Sequence, residues 1–324
     1  MTEIPAETLV TVFGGSGFLG RHLVRALARE GYRIRPAVRR PDLAGHLQPL
    51  GRVGQIHAVQ ANLRYPASVE AAVRGADVVI NLAAVLYERG KQTFEAVHAE
   101  GANAVARAAA AQGARLIHVS ALGADPDSTA AYARTKAAGE VAALGTVSDA
   151  TIFRPSIMFG PEDDFFNRFA AMARVLPFLP LVGGGETRYQ PGFVGDVAQA
   201  IARAVRGEAK GGTIYELGGP EVKSFKELMA YVLAVTERKR LLLPLPFGLA
   251  KLQATFLQFM PKPLLTPDQV ELLRSDNIVS AAAIAEGRTI TALGIEPAAL
   301  EAIVPSYLWR FRKTGQFRGR VSLT

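Results

Sequence analysis

The residues best placed to do chemistry stand near the start of the chain. Gly15-x-Gly17-x-x-Gly20, overlapped by Gly14-x-x-Gly17-x-x-Gly20, follows a short apolar run from Leu9 to Phe13. After it Phe18, Leu19, His22, Leu23, Ala26 and Leu27 recur at helical spacing, and Gly31 closes the helix. A strand, a glycine turn and a helix in that order form a cradle for a dinucleotide. The glycines permit a tight turn and close backbone approach, and the pyrophosphate meets the unpaired N–H groups at the helix N-terminus. Cofactor contacts are therefore assigned to Gly14, Ser16, Gly17, Phe18, Leu19 and Gly20. About twenty residues on, where an acid holds the ribose hydroxyls of NAD(H), this chain has Arg39 and Arg40, with Asp42 the nearest acid. A guanidinium pairs bidentately with phosphate. Arg39 and Arg40, with the Ser16 hydroxyl, thus point to the 2′-phosphate of NADP(H) over NAD(H); the other reading is two solvated loop charges. Tyr132 and Lys136 lie one helical turn apart, on one face.

Alternating strands and helices must position these groups. Strands are predicted near residues 9–13, 33–39, 56–59, 78–82, 116–120, 151–153 and 213–217, the second weakened by Pro36. Helices are predicted near 67–75, 94–112, 129–144 and 194–206. That alternation specifies a doubly wound, parallel α/β sheet. After about residue 218 the rhythm changes. Ser224-Phe225-Lys226-Glu227 has the capping-box pattern and opens a helix to about Glu237. An apolar stretch from Pro244 to Lys262 and a short helix near 268–273 follow. Two domains are drawn: 1–163 with 189–218 for the nucleotide, and 164–188 with 219–324 as a smaller, mainly helical C-terminal domain.

Composition narrows the function. The 324 residues carry 37 Lys and Arg against 29 Asp and Glu, a formal charge of +8, and no Cys. Thiolate nucleophiles, disulfides and Cys-ligated metal or iron–sulfur centres are thereby excluded. The His residues at 22, 46, 57, 98 and 118 have no ligand-like spacing, so no metal is assigned. Glu162, Asp163 and Asp164 suggest acid–base work or a metal, but they precede a helix, where acids suit the N-terminal dipole, and that reading is preferred. The opening residues resemble neither a signal peptide nor a transit segment. The longest apolar run, Leu241 to Ala250, is broken by Pro244 and Pro246 and is too short to span a bilayer. The positive charge gathers at Arg238-Lys239-Arg240 and in a tail holding Arg310, Arg312, Lys313, Arg318 and Arg320. Between them Phe247, Leu249, Leu252, Phe256, Leu257 and Phe259 form a stripe that is either core or an interface with a membrane or partner. No nucleic-acid motif is present, and no nucleic-acid partner is expected.

These motifs together resemble the extended and atypical short-chain dehydrogenase/reductases. Asn62-Leu63 stands where that family has its adenine-side Asp-Leu, and Asn81-Leu82-Ala83-Ala84 resembles its cofactor-lining fourth strand. Tyr132-x-x-x-Lys136 and Arg154-Pro155-Ser156-Ile157, the latter similar to the segment passing the nicotinamide, complete the series with Phe193–Ala198 and Tyr215–Gly219. The resemblance implies a Rossmann sheet and adds Asn62, Leu63, Leu82, Ala83, Ala84, Ser120, Tyr132, Lys136, Pro155 and Ile157 as cofactor contacts. In active relatives the Lys lowers the Tyr pKa and the Tyr is the general acid or base, with a Ser or Thr as third member. Here Ala121, Leu122 and Gly123 follow Ser120. Either Ser120 serves, or the triad is incomplete and Tyr132 and Lys136 are ribose ligands only.

A narrower resemblance covers Tyr132 through Met172 and the closing Tyr307–Phe317. These segments are similar to the nucleotide-binding accessory subunits of respiratory complex I, NADH:ubiquinone oxidoreductase. That resemblance implies a structural NADPH, complex I subunits as partners through the C-terminal region, and membrane-surface contact. It implies a peripheral location on the cytoplasmic face of a bacterial inner membrane, or the matrix side in a mitochondrion. The alternative is an active NADP-dependent reductase, epimerase or quinone-biosynthesis enzyme using Tyr132 and Lys136.

Overall fold

The computed structural model describes residues 5–315. Arg318 and Arg320 of the basic tail lie outside them. The chain divides into two compact units that interleave along the sequence: 1–155, 194–218 and 279–296 in the first, and 156–193, 219–278 and 297–324 in the second.

The first unit is built on a seven-stranded, all-parallel sheet. Its strands are β1 (Leu9–Phe13), β2 (Arg33–Val38), β3 (Val59–Gln60), β4 (Val78–Asn81), β5 (Arg115–Val119), β6 (Thr151–Pro155) and a seventh, Ile214–Leu217. The spatial order runs from Ile214–Leu217 through β6, β5, β4, β1 and β2 to β3. The order reverses between β1 and β4, and the crevice beyond the strand C-termini at such a point is where open α/β sheets bind ligands. Helices α1 (Phe18–Arg29), α2 (Pro66–Val73), α3 (Glu100–Gln112) and α4 (Ala131–Thr146) belong to this unit with the helix Val194–Val205. β1 and β4 are buried on both faces, which is why they read as continuous apolar runs.

Two elements depart locally from the predicted ones, the first because of a proline. Pro36 does sit inside β2. It has the parity of Ile34, whose N–H and C=O bond Gln55 and His57 of the edge segment. The missing proline N–H therefore falls on that outer side, and the ladder re-forms only at Ala37↔Val59. This moves the third strand from the predicted 56–59 to Val59–Gln60. The predicted helix over 94–112 begins instead with a π-turn, Glu95–Ala99, ahead of α3.

Residues 279–296 join the first unit through long-range bonds. The Ser280 N–H donates to the Glu216 carboxylate at 2.7 Å, the Arg288 guanidinium donates to Ile214 O at 2.6 Å, and Thr289 bridges Glu216.

The second unit packs the helices Phe165–Val175 and Phe225–Val235 around Phe159, Phe166, Leu179, Leu228, Val304 and Leu308. The capping box at Ser224 and Glu227 forms as predicted. Phe178–Val182 pairs in parallel with Leu241–Leu245. In the helix Phe247–Leu257 only Ala250 and Ala254 are buried, so most of the apolar stripe faces outward.

Candidate functional site

The glycine loop closes on itself at the C-terminal end of β1. Gly14 has φ +78, and its carbonyl accepts the Gly17 N–H at 3.0 Å. A Cβ on Gly20 would lie 2.4 Å from Gly14 O and 2.6 Å from Gly15 O, both backbone atoms that cannot move aside. Gly20 therefore lets α1 begin directly under the turn. The helix starts with Gly17 as its cap, without a side-chain capping bond and without an acid in its first turn. The first-turn N–H groups and the helix dipole are left to an anion.

β4 delivers the opposite wall. The Leu82 N–H donates to Phe13 O at 3.0 Å, and a Cβ on Gly14 would stand 3.2 Å from Leu82 C and Ala83 N. Leu82 and Ala83 are half-buried and Ala84 is exposed. On the adenine side, Asn62 Oδ1 accepts the Arg64 N–H at 3.2 Å, closing a side-chain turn, while Leu63 lies over Gly101 of α3. The two arginines separate. Arg40 chelates Asp42, with Nη2 to Oδ2 at 2.7 Å, and this bond holds its guanidinium above the usual range. Arg39 is exposed and makes no ion pair among the described residues.

Tyr132 and Lys136 share one face of α4. The Lys136 ammonium lies 6.0 Å from the Tyr132 ring centroid, and its Nζ donates to Val119 O at 3.2 Å. Lys136 is only 2 % exposed, and burial, partly offset by Glu140, pulls it down to about 8. Glu140 is itself held bidentately by Arg154, at 2.8 and 2.6 Å, and Glu216 lies 3.8 Å from the same guanidinium.

Two histidines complete the surroundings, and sequence reasoning passed over both. His98 Nε2 accepts the Val85 N–H at 3.0 Å, so the proton sits on Nδ1, which faces Thr135 Oγ1 at 3.2 Å. The His98 ring stacks on Phe94 and meets Tyr132 edge-on at 5.2 Å. Close approach of α4 to the π-turn makes this possible: a Cβ on Gly139 would strike His98 O at 2.3 Å. His118 stands in register with Asn81 of β4. Because Asn81 Oδ1 accepts the Ala83 N–H, Nδ2 is the atom facing His118 Nδ1 at 3.2 Å. The His118 proton is therefore on Nε2. Burial first, then the Lys136 charge, lowers both imidazoles to about 3, so both are neutral. The only advance signal was His118 on the same strand face as Ser120, two residues on.

Ser120 is 4 % exposed, and its Oγ and His118 Nε2 are buried with no hydrogen-bond partner among the described residues. Leu122 instead packs into an apolar cluster with Val279 and Ala283, and its N–H donates to Pro155 O. Ile157 lies in the second unit, where its N–H donates to Asn277 Oδ1 at 3.1 Å. The first unit thus offers a glycine cradle, an open helix terminus, an unpaired guanidinium, and a buried ammonium beside unsatisfied polar atoms. This donor set fits a nicotinamide dinucleotide, with the glycine loop and the open helix terminus facing its pyrophosphate.

Residues 10–218 match the NAD dependent epimerase/dehydratase family. The chain is 36 % identical to the NADH dehydrogenase (ubiquinone) 1 alpha subcomplex subunit 9, mitochondrial, of Arabidopsis thaliana, over 95 % of this chain and 79 % of that one. It is 32 % identical to the NADH-ubiquinone oxidoreductase 40 kDa subunit, mitochondrial, of Neurospora crassa, over 95 % and 80 %. Among solved structures, dTDP-glucose 4,6-dehydratase of Bacillus anthracis in complex with NAD superposes with a TM-score of 0.69 at 17 % identity, covering 93 % of this chain and 95 % of that one. The glycine cradle, the Tyr132–Lys136 pair and the match over 10–218 establish that this chain belongs to the NAD dependent epimerase/dehydratase family.

Proposed function

We propose that the chain is a non-catalytic, NADP(H)-binding accessory subunit of respiratory complex I. One observation carries this reading: similarity to complex I subunits runs over 95 % of the chain, far beyond the nucleotide-binding motifs. NADPH is favoured over NAD(H) because Arg39 is free to meet a 2′-phosphate, while Arg40 is committed to Asp42. Gly14, Ser16, Gly17, Phe18, Leu19 and Gly20 hold the pyrophosphate. Asn62, Leu63, Leu82, Ala83 and Ala84 line the adenosine half, and Ser120, Tyr132, Lys136 and Pro155 line the nicotinamide half.

A bound NADPH offers a transferable hydride. The chain's own residues bind and orient the nucleotide, Tyr132 and Lys136 acting as ribose ligands. In this reading Ser120 does not serve as third member of an acid–base triad, and of the residues that follow it Leu122 packs against Val279 and Ala283. The C-terminal region faces complex I subunits and the membrane surface. The chain then sits peripherally, on the cytoplasmic face of a bacterial inner membrane or the matrix face of a mitochondrial one. Among the described residues no helix is long and apolar enough to cross a membrane. A second reading, an active NADP-dependent reductase or epimerase, draws on the intact Tyr132–Lys136 pair and the unpartnered Ser120 Oγ.

Purification from detergent-solubilised membranes tests the choice. The chain is expected to travel with complex I and to reduce no carbonyl. Steady NADPH turnover abolished by Tyr132→Phe, or a chain recovered only free of the complex, overturns the accessory-subunit reading.

A further inference from the structure

In the second unit a shallow cavity of about 400 Å³ is lined by Pro177, Leu233, Arg238, Lys239, Arg240 and Leu241. Its guanidiniums are fixed in place. Arg238 Nε donates to Phe311 O and Arg240 Nε to Ala173 O, each at 2.8 Å. Arg312 Nε is held likewise by Val235 O, with Glu237 at 3.6 Å. Arg240 Nη1 also donates to Lys239 O at 3.0 Å, which leaves the outer N–H groups of Arg238 and Nη2 of Arg240 for a ligand. Glu237, at φ 54, makes the turn that puts Arg238–Arg240 at the mouth of the cavity. Burial and the facing charges of Arg240 and Arg174 hold Arg238 below the usual guanidinium range. Like charges are thus held together where an anion would relieve them.

The same cavity opens onto an apolar ridge. Leu241 lines the cavity and is 67 % exposed; Leu243, next on the same strand face, is 42 % exposed, while Leu242 between them packs inward. Phe178, the register partner of Leu241, is exposed beside it. Guanidiniums directly adjoining an apolar ridge match the two layers of a lipid surface, headgroup phosphate above hydrocarbon. An acidic protein surface complements the charges but leaves the ridge without a reason.

We propose that Arg238, Lys239 and Arg240 form a binding site for the headgroup phosphate of anionic phospholipids, with Leu241, Leu243 and Phe178 seated at the bilayer interface. This rests on the membrane-side placement proposed above and names the lipid chemistry and residues involved.

The test is flotation of the full chain with phosphatidylcholine vesicles, with and without phosphatidylglycerol, over a range of sodium chloride. Binding is expected to require phosphatidylglycerol and to weaken with salt. Each cation removed should weaken it about fivefold, so replacing Arg238, Lys239 and Arg240 together by Gln should cost about a hundredfold. Arg238 and Arg240 also tie down backbone carbonyls, so Lys239→Gln alone, at about fivefold, and the salt series on the unaltered chain keep the test independent of folding. Equal, salt-insensitive binding to both vesicle types overturns the proposal. So does saturation by sodium phosphate without vesicle binding, which assigns the site to free phosphate. Failure to bind vesicles while the Gln variants leave complex I overturns it in favour of an acidic protein partner. In each failure, an unaltered chain still recovered with complex I and NADPH leaves the accessory-subunit reading standing.

Discussion

Lys136→Met should make the nucleotide-free protein more stable and unable to hold nucleotide. The ammonium is 2 % exposed and has been pulled from 10.5 to about 8 by burial, against a smaller opposing effect of Glu140. The unfolded chain keeps this proton up to 10.5 while the folded chain releases it near 8. Between those values the unfolded state binds more protons, so stability rises with pH across that window. Below pH 8 the whole cost of the buried charge is present, about 3 kcal/mol at about 1.4 kcal/mol per tenfold. Methionine fills similar volume without charge, but loses the bond to Val119 O, worth about 1 kcal/mol. The net gain is about 2 kcal/mol at pH 7, or about 5 °C in Tm. Thermal unfolding by circular dichroism, without nucleotide at pH 7 and pH 10, reads it; NADPH fluorescence titration reads binding. The variant should unfold later at pH 7, lose the rise in stability above pH 8, and bind NADPH poorly. A lower Tm at pH 7 with the wild-type rise retained refutes the reasoning.

Gly20→Ala places a Cβ 2.4 Å from Gly14 O, and should abolish nucleotide retention and destabilise the first unit by about 2 kcal/mol or more, read by extraction and by chemical denaturation. Arg39→Glu should weaken NADPH at least tenfold relative to NADH, whereas Arg40→Glu, which breaks only an exposed pair with Asp42, should change that ratio little; competition titrations separate them. His98 and His118 titrate near 3 in the folded chain against an ordinary 6.5, so the stability they contribute is complete above 6.5 and is lost as pH falls towards 3. Denaturant midpoints for His118→Asn should fall less steeply over that range than those of the wild type.

Local signals made much of this architecture legible. The glycine loop was clear because strand, turn and helix are contiguous, and the Ser224–Glu227 box formed because capping acts within four residues. What escaped was long-range. Nothing local marks 279–296 as part of the first unit, since Glu216 and Ile214 hold it from over sixty positions away. His98 and His118 had no ligand spacing to announce them; their partners are Val85, Thr135 and Asn81, reached across strands and helices. Arg39 and Arg40 looked alike in sequence, and only the fold gives Asp42 to Arg40. The outward stripe of Phe247–Leu257 likewise could not be told from core by periodicity, because small Ala250 and Ala254 make its buried face.

In the proposed role the chain holds NADPH as a structural ligand within complex I. The most direct measurement extracts and quantifies nucleotide from the complex purified with this chain, before and after turnover of the respiratory reaction with NADH. One NADPH per chain, unchanged by turnover and lost in Arg39→Glu, is the predicted result. An absence of NADPH, or its oxidation in step with turnover, contradicts it.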